Sequence, residues 1–403
     1  MLTADPQIRD SAVKAVHHQF RIVGAGPTGA LLALGLAHQG FSVVLHDRLS
    51  AELLLNRSRA YAITHSSRRL LQGLGLWAAL LDHLEPFRTL RLDDCSAHRT
   101  AWFNVRDLRP GNRSSEAIGW ILDHRPLMHL LLERLEASEQ VVLQLDDATP
   151  AEGALTTAGP CQWIVAADGP RSMLRRCAEV PFWSHAYQQG CLTAKLRLTG
   201  AGQHCAYELF RPEGPMAVLP LGQDSYQVVW SAPLQRCRDR AASSSAELLS
   251  ALNAILPDGL NAVQLLDDPG AFPLELSLAP RLHRDSLLLV GEAGHRCHPV
   301  GGQGLNLCWR DVSDLLHLTE AMRCGEMAFP SLARRYSRCR RFDLAGVLLA
   351  TDLLIRFFSN HNPLLMPFRR LALFMLKHVS WMRRLSLSAM TDGPGALLKP
   401  LPK

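Results

Sequence analysis

The seventeen residues from Val290 to Asn306, VGEAGHRCHPVGGQGLN, concentrate the chemical possibilities of this chain. An apolar run, Ser286 to Val290, stops at Gly291-Glu292, and Gly301, Gly302 and Gly304 then permit close backbone approach before a helix that the pattern starts near Leu305. A helix start presents unpaired N–H groups and the positive end of the helix dipole. That arrangement favours a ring that is neutral when oxidised and anionic when reduced, as a flavin becomes at N1 and O2. His295, Cys297 and His298 are of metal-ligating type, but Cys297 and His298 are adjacent and the spacing supplies no fourth ligand. They read as polar groups lining a cofactor pocket, and no metal is expected.

A second chemical segment lies far upstream. Phe20 to Val23 reads as a strand, Gly24-Ala-Gly-Pro-Thr-Gly29 opens a helix to about Gln39, and Gly40 stops it. A further strand, Phe41 to His46, ends in Asp47, 23 positions after the first glycine. This is the strand, helix, strand unit that binds dinucleotides, with the acid placed for an adenosine ribose. Gly24 allows the tight turn, Gly26 lets the backbone approach a pyrophosphate, and Gly29 brings the helix close to the strand. A third segment, IVAADGPRSMLR from Ile164 to Arg175, runs from an apolar strand through Asp168-Gly169 into a basic helix start.

In order and spacing these three segments resemble the FAD-dependent aromatic hydroxylases, the class A flavoprotein monooxygenases. Further stretches resemble the polyprenyl-methoxyphenol hydroxylases of ubiquinone synthesis: Arg59-Ala-Tyr-Ala-Ile-Thr64, Leu74-Gly-Leu-Trp77, Glu208-Leu-Phe, Gly214-Pro-Met-Ala-Val-Leu-Pro220, Val229-Trp230 and Thr351-Asp-Leu-Leu-Ile-Arg-Phe-Phe-Ser-Asn360. The resemblance implies FAD, with NAD(P)H or another electron donor as reductant. It implies that Gly24, Gly26, Gly29 and Asp47 hold the ADP moiety, that Asp168 and Gly169 lie near the pyrophosphate, and that Arg59 and Arg125 approach the cofactor. Read from the residues alone, Arg125 in Asp123-His-Arg-Pro is better taken as an exposed helix-cap arginine. Pro299, Gly302, Gln303, Gly304, Leu305 and Asn306 would adjoin the flavin ring. The pattern departs where Gly-Asp is usual: here it is Gly291-Glu292, followed by Ala293-Gly294. Glu292 still accepts hydrogen bonds, with its carboxylate about one bond length further out, and Gly294 is a place for the backbone to adjust. These departures are similar to cyanobacterial members, which would imply plastoquinone instead of ubiquinone.

The activity so implied is hydroxylation of the ring of a prenylated phenol by oxygen, through a hydroperoxide at flavin C4a. His295 is the candidate for a base near the substrate. Two alternatives stay open at this stage: an FAD-dependent isoprenoid reductase or epoxidase, and a non-catalytic flavoprotein scaffold of a quinone-synthesis assembly.

The elements that must position these residues follow from the patterning. A chain of 403 residues exceeds one typical core, so two lobes are expected, in an α/β fold: a Rossmann-like FAD-binding lobe, discontinuous in sequence, a mixed β-sheet substrate lobe and a C-terminal helical tail. The FAD lobe is assigned residues 18–90, 116–181 and 281–345, the substrate lobe 91–115 and 182–280, and the helical tail 346–403. The stretch from Gln235 to Glu247 reads as a solvated connection or helix cap. Ten cysteines without a CxxC pair or secretory signal read as reduced thiols of a cytoplasmic protein, and the first seventeen residues as a frayed arm. The net charge of +6 is local, for residues 331–403 hold thirteen Lys or Arg against three Asp. There Leu364, Phe368, Leu371, Met375, Val379 and Met382 recur as one apolar helical face, with Arg370, Lys377 and Arg384 on another. Such a helix would lie at a membrane surface or pack on the FAD lobe. With few aromatic residues and no recognition motif, nucleic acid is excluded.

Overall fold

The computed structural model describes residues 19–147, 163–360 and 362–395, so the proposed N-terminal arm lies outside the described residues. In chain order the elements that matter for the site begin with β1 (Phe20–Val23), α1 (Pro27–His38) and β2 (Val43–His46). A hairpin follows, β3 (Thr89–Asp94) and β4 (Arg99–Asn104), then α2 (His124–Glu136), β5 (Val141–Gln144) and β6 (Trp163–Ala166). Next come β7 (Trp183–Thr199), β8 (Cys205–Phe210), β9 (Met216–Gly222), β10 (Ser225–Pro233), β11 (Gly270–Leu278) and β12 (Leu287–Leu289). Four long helices follow among the described residues: α3 (Gln303–Arg323), α4 (Leu332–Phe358), α5 (Met366–His378) and α6 (Ser380–Asp392).

The first sheet has the order His283–Arg284, β12, β6, β1, β2, β5, and every pairing but the outermost one at His283–Arg284 is parallel. Its central strands are buried throughout, Val43–His46 and Trp163–Ala166 without an exposed position, because helices cover both faces. One core joins Phe20 and Ile22 of β1 to Leu31, Leu32 and Leu36 of α1 and Leu315 of α3. Burying each such leucine stabilises by roughly 1.5–3 kcal/mol. Pro27 sits in the first turn of α1, where its missing N–H costs nothing, and Gly40, at φ 85°, ends the segment.

The second sheet is mixed, in the order His295–Arg296, β11, β7, β10, β9, β8, β3, β4, with Asn261–Leu265 also pairing to β7. In β8 the two faces separate cleanly: Cys205, Tyr207 and Leu209 enter one core with Trp230 and Val228, while Ala206 and Phe210 face the other way. A small antiparallel sheet of Ala60–Ile63, Gly119–Asp123 and Leu84–Phe87 shares no ladder with either and packs Phe87 and Ile121 against Ala206 and Leu219 of the second. The fold is therefore the α/β class expected, a Rossmann-like lobe and a mixed β-sheet lobe followed by helices.

Two local readings are made definite, the first on the side of the helix cap and the second by a break. Most of Gln235 to Glu247 is helical: Leu234–Ala242 is one helix, and Ser244 with Glu247 forms a capping box for a second, Ser245–Asn253. The apolar tail face is divided between α5 and α6, because Val379 is extended at φ −106°, ψ 100°, and Arg383 donates to the freed carbonyls of Leu376 and Lys377. Among the described residues no helix is long and apolar enough to cross a membrane.

Candidate active site

At the first glycine turn the three glycines serve different ends. A Cβ on Gly24 would stand 2.2 Å from the Ala167 carbonyl oxygen, and one on Gly29 would stand 1.9 Å from that of Gly24. Both are demanded by main-chain packing at the ends of β1 and β6. Gly26, the N-cap of α1, would meet nothing within 4 Å, so its missing side chain leaves open space above the helix start. Trp309 of α3 pins that start by donating to the Pro27 carbonyl at 3.2 Å. Asp47 accepts from the Ala25 N–H at 2.7 Å and the Leu49 N–H at 2.9 Å, and its carboxylate retains lone pairs for a further donor.

Asp168 caps the short helix Met173–Cys177 by accepting from the Met173 N–H at 2.8 Å through Oδ2, while its buried Oδ1 has no partner. Gly169, at φ 83°, again faces open space. Arg175 ties this turn to the third segment, donating to the Ala293 carbonyl at 2.6 Å and the Pro170 carbonyl at 3.1 Å with its guanidinium over the Phe182 ring. Nothing in its sequence context marked Arg175, since its partner lies 118 positions away.

The turn at Gly291 hangs on a buried charge network. Asp311 of α3 accepts from the Gly291 N–H at 2.7 Å and lies 2.7 Å from His295 Nε2, while Arg340 of α4 donates to its other oxygen at 2.6 Å. Burial alone would raise the Asp311 carboxyl, but His295 and Arg340 hold it down at about 2. His295 is thus placed inside the protein and engaged by Asp311, away from open space. Glu292 is half-exposed, its carboxylate 3.9 Å from Arg296. The adjoining Gly294 does not adjust the backbone, for its φ of −103° suits any residue. A Cβ there would come within 2.7 Å of a Leu282 methyl, so a larger residue would have to displace that side chain.

Gly301 and Gly302 are left-handed, at φ 69° and 62°, and turn the chain into α3, which starts at Gln303 instead of Leu305. Gly301 and Gly304 face open space. Asn306 is wholly buried and saturated: it donates to the carbonyls of Ala62 and Gly302 and accepts from the Thr64 N–H, the Thr64 hydroxyl and the Ser67 hydroxyl. Its side chain therefore clamps the Arg59–Thr64 stretch to the glycine turn and has no capacity left for a ring. Gln303 donates to the carbonyls of Gly301 and Met390, and Leu305 packs at the edge of the first core. Pro299 precedes the turn beside His298, which is buried and accepts from the Val300 N–H through Nδ1, with Nε2 unpartnered. Burial pulls His298 down to about 3, so the ring is neutral. Arg59 and Arg125 are both exposed; Arg59 lies 5.4 Å from the Phe272 ring and Arg125 is in the first turn of α2, its N–H directed to Asp123. Among the described residues no group of three His, Cys, Asp or Glu is placed to hold a metal ion.

A model of the FAD binding domain family matches residues 18–101 and 145–346. The chain belongs to this family. An uncharacterised protein of Synechocystis is 31% identical over 92% of each chain. The 3-demethoxyubiquinol 3-hydroxylase of Escherichia coli is 30% identical over 92% of this chain and 97% of its own. The crystal structure of p-nitrophenol 4-monooxygenase from Pseudomonas putida shares the fold, with a TM-score of 0.72 over 93% of this chain and 97% of its own, at 18% identity. The protein is an FAD-dependent monooxygenase, a flavoprotein whose co-substrate is oxygen and whose class is typically reduced by NAD(P)H. The FAD binding domain here fits its cofactor: Gly26, Gly169, Gly301 and Gly304 are four places where a side chain would project into empty space, and Asp168 Oδ1 is a buried acceptor without a donor. A ligand carrying hydroxyl donors and needing close backbone approach satisfies both conditions.

Proposed function

We propose that this monooxygenase hydroxylates the aromatic ring of a prenylated phenol in quinone formation, of ubiquinone or plastoquinone type, and works at a membrane surface. The observation that carries the reading is the outer face of the last helices. Phe342, Leu349, Leu364, Phe368, Leu371 and Trp381 are each more than half exposed there. Isolated exposed apolar residues are ordinary, but a concentration on consecutive helices marks a surface for an apolar partner. Exposed Arg370, Lys377 and Arg384 stand among them, each contributing on the order of 1 kcal/mol near anionic lipid. A prenylated phenol resides in that phase. The similarity to a ubiquinol-ring hydroxylase over nearly the whole chain supports the same substrate class.

On this reading the lobe of the six-stranded sheet holds the cofactor and the lobe of the nine-stranded sheet faces the substrate. Bound FAD supplies the two-electron activation of oxygen. Gly26 and Gly169 admit the pyrophosphate, Asp47 meets the ribose, and Asp168 Oδ1 accepts from a cofactor hydroxyl. Gly301 and Gly304 would let the backbone approach the ring, Gly302 makes the turn against Ala62, and Pro299, Gln303 and Leu305 would flank the ring. Arg59 and Arg125 would reach the cofactor only by leaving their present surface positions, and Asn306, Arg175 and Asp311 hold the three turns in register. Mass spectrometry of lipids from cells with and without the gene tests the reading. Accumulation of a prenylated phenol one oxygen short of the normal product is the expected result, and unchanged quinones and precursors would overturn it.

A further inference from the structure

One buried acid takes no part in the network described above. Glu208 lies on β8, on the face it shares with Ala206 and Phe210, and its register neighbours are Ala217 of β9 and Leu92 of β3. Around this face stand Val300 of the glycine turn, Ile355 and Phe358 of α4 and Leu373 of α5. Glu208 is 9% exposed, and the nearby Gly301 N–H favours its ionised form, opposing burial. Gly301 is also one of the glycines whose Cβ direction is empty. A carboxyl group is thus buried beside the glycine turn, on a face packed with apolar side chains of the C-terminal helices.

No cation offsets it: among the described residues Glu208 has no ion-pair partner, and burial is the first cause acting on its carboxyl. Such a site is costly for a charged group and has no structural purpose that glutamine would not serve. The titratable groups on the packed elements do not supply its proton balance. Asp94, further along β3, accepts from the Ser96 and Ala97 N–H groups, and Cys191 of β7 and His298 are held neutral by burial. Asp352 and Arg356 of α4 pair with each other, and Arg369 of α5 donates to the Phe357 and Asn360 carbonyls.

We propose that Glu208 is the base that removes the proton from the phenolic hydroxyl of the substrate. The proposal rests on the reading of the protein as a phenol hydroxylase. The phenolic O–H bond breaks, the proton forms an O–H bond on the Glu208 carboxylate, and the electron pair stays on the phenolate oxygen, enriching the ring for electrophilic attack. No electrons pass to the protein, and the proton leaves to water when product departs. Burial raises the carboxyl to about 7, so it ionises near neutrality and is a stronger base than an exposed glutamate.

The test uses the full FAD-loaded chain with two probes, 2-geranylphenol and 2-geranyl-4-nitrophenol, the phenolate of the latter absorbing visible light. Above the Glu208 midpoint the wild type is expected to bind the nitrophenol as its phenolate. Glu208→Gln is expected to keep the flavin spectrum and bind the probe within a few-fold, but in neutral form. Turnover of 2-geranylphenol then falls by on the order of 10²-fold, with partial recovery in Glu208→Asp. Ionisation of the probe by Glu208→Gln as in the wild type, or loss of FAD from that variant, would overturn the assignment, the second by showing a structural role. A wild type that does not bind the nitrophenol, or binds it without ionising it, overturns it too. If the wild type ionises the probe yet hydroxylates neither phenol, the base assignment stands and the hydroxylase reading fails.

Discussion

Gly26 and Gly29 stand three positions apart and would fail for opposite reasons if given side chains. At Gly29 a Cβ would overlap the Gly24 carbonyl oxygen, so Gly29→Ala is expected to cost the fold 1–3 kcal/mol or more, as overpacking against backbone does, visible as a lower urea midpoint. At Gly26 the space is empty of protein. Gly26→Glu is therefore expected to leave the urea midpoint of the cofactor-free chain within about 0.5 kcal/mol, a surface-like change, while abolishing the flavin absorbance of the purified protein. A variant that still copurifies with FAD would contradict the placement of the pyrophosphate. Glu208 has its own thermodynamic signature. Its folded value of about 7 lies above the ordinary 4.5, so burying the ionised form is penalised. The native state carries no penalty below about pH 4.5 and loses stability as pH rises toward 7, by roughly 3 kcal/mol at 1.4 kcal/mol per unit. Glu208→Gln should remove that loss, so urea titrations at about pH 5 and about pH 8 should show the variant gaining on the wild type only at the higher pH.

At the scale of elements, α3, α4 and the turn before His295 are joined by one carboxylate. Asp311 is fully buried and held at about 2 by His295 and Arg340, below its ordinary 3.8. The sign is opposite to that of Glu208: the stabilisation is present above about pH 4 and is lost as pH falls through about 2. Asp311→Asn leaves the Arg340 guanidinium without one of its buried partners, and loss of a buried partner costs on the order of 3–5 kcal/mol. Denaturation of the variant should show this loss at neutral pH, together with weaker FAD retention because the Gly291 N–H is released; an unchanged midpoint would refute the coupling. These pairings also mark the boundary of what sequence reveals. β1, α1 and β2 were readable because local rules suffice: a short apolar run, glycines at fixed offsets, a stop at Gly40. The sequence pattern makes Asn306 a ring contact, yet its side chain is consumed by Ala62 and Thr64, more than 240 positions away, and no local rule reaches that far. His295 stands out in sequence as an imidazole expected near the flavin, and only the fold shows that Asp311, on the following long helix, engages it. The division of the tail at Val379 was hidden because apolar spacing continues across it while the backbone turns. Glu208 did carry a signal, a single acid in the otherwise uncharged strand CAYELF. Only the fold shows which face it occupies.

The whole molecule is asymmetric, with its cofactor turns held by buried polar pairs and its last helices turned outward with large apolar side chains. Two forces would hold it to a bilayer, and they separate by their response to salt. Transferring exposed Phe368 and Leu371 into the interface contributes through apolar area, roughly 1.5–3 kcal/mol for each fully buried side chain, and is insensitive to ionic strength. Arg370, Lys377 and Arg384 act through surface potential, about 1 kcal/mol each, over a screening length of about 8 Å at 0.15 M salt that shortens to about 3 Å at 1 M. A Phe368→Glu, Leu371→Glu variant should therefore lose at least tenfold in partitioning to vesicles of phosphatidylcholine and phosphatidylglycerol at every salt concentration, since roughly 1.4 kcal/mol is a factor of ten. A variant with Arg370, Lys377 and Arg384 changed to Gln should lose affinity at low salt and match the wild type at high salt. None of these five side chains supports the buried core, so both variants should keep the flavin spectrum and the wild-type urea midpoint. Flotation of all three proteins with vesicles at both salt levels reads out each term. Equal partitioning by all three would show that these side chains do not hold the protein to lipid.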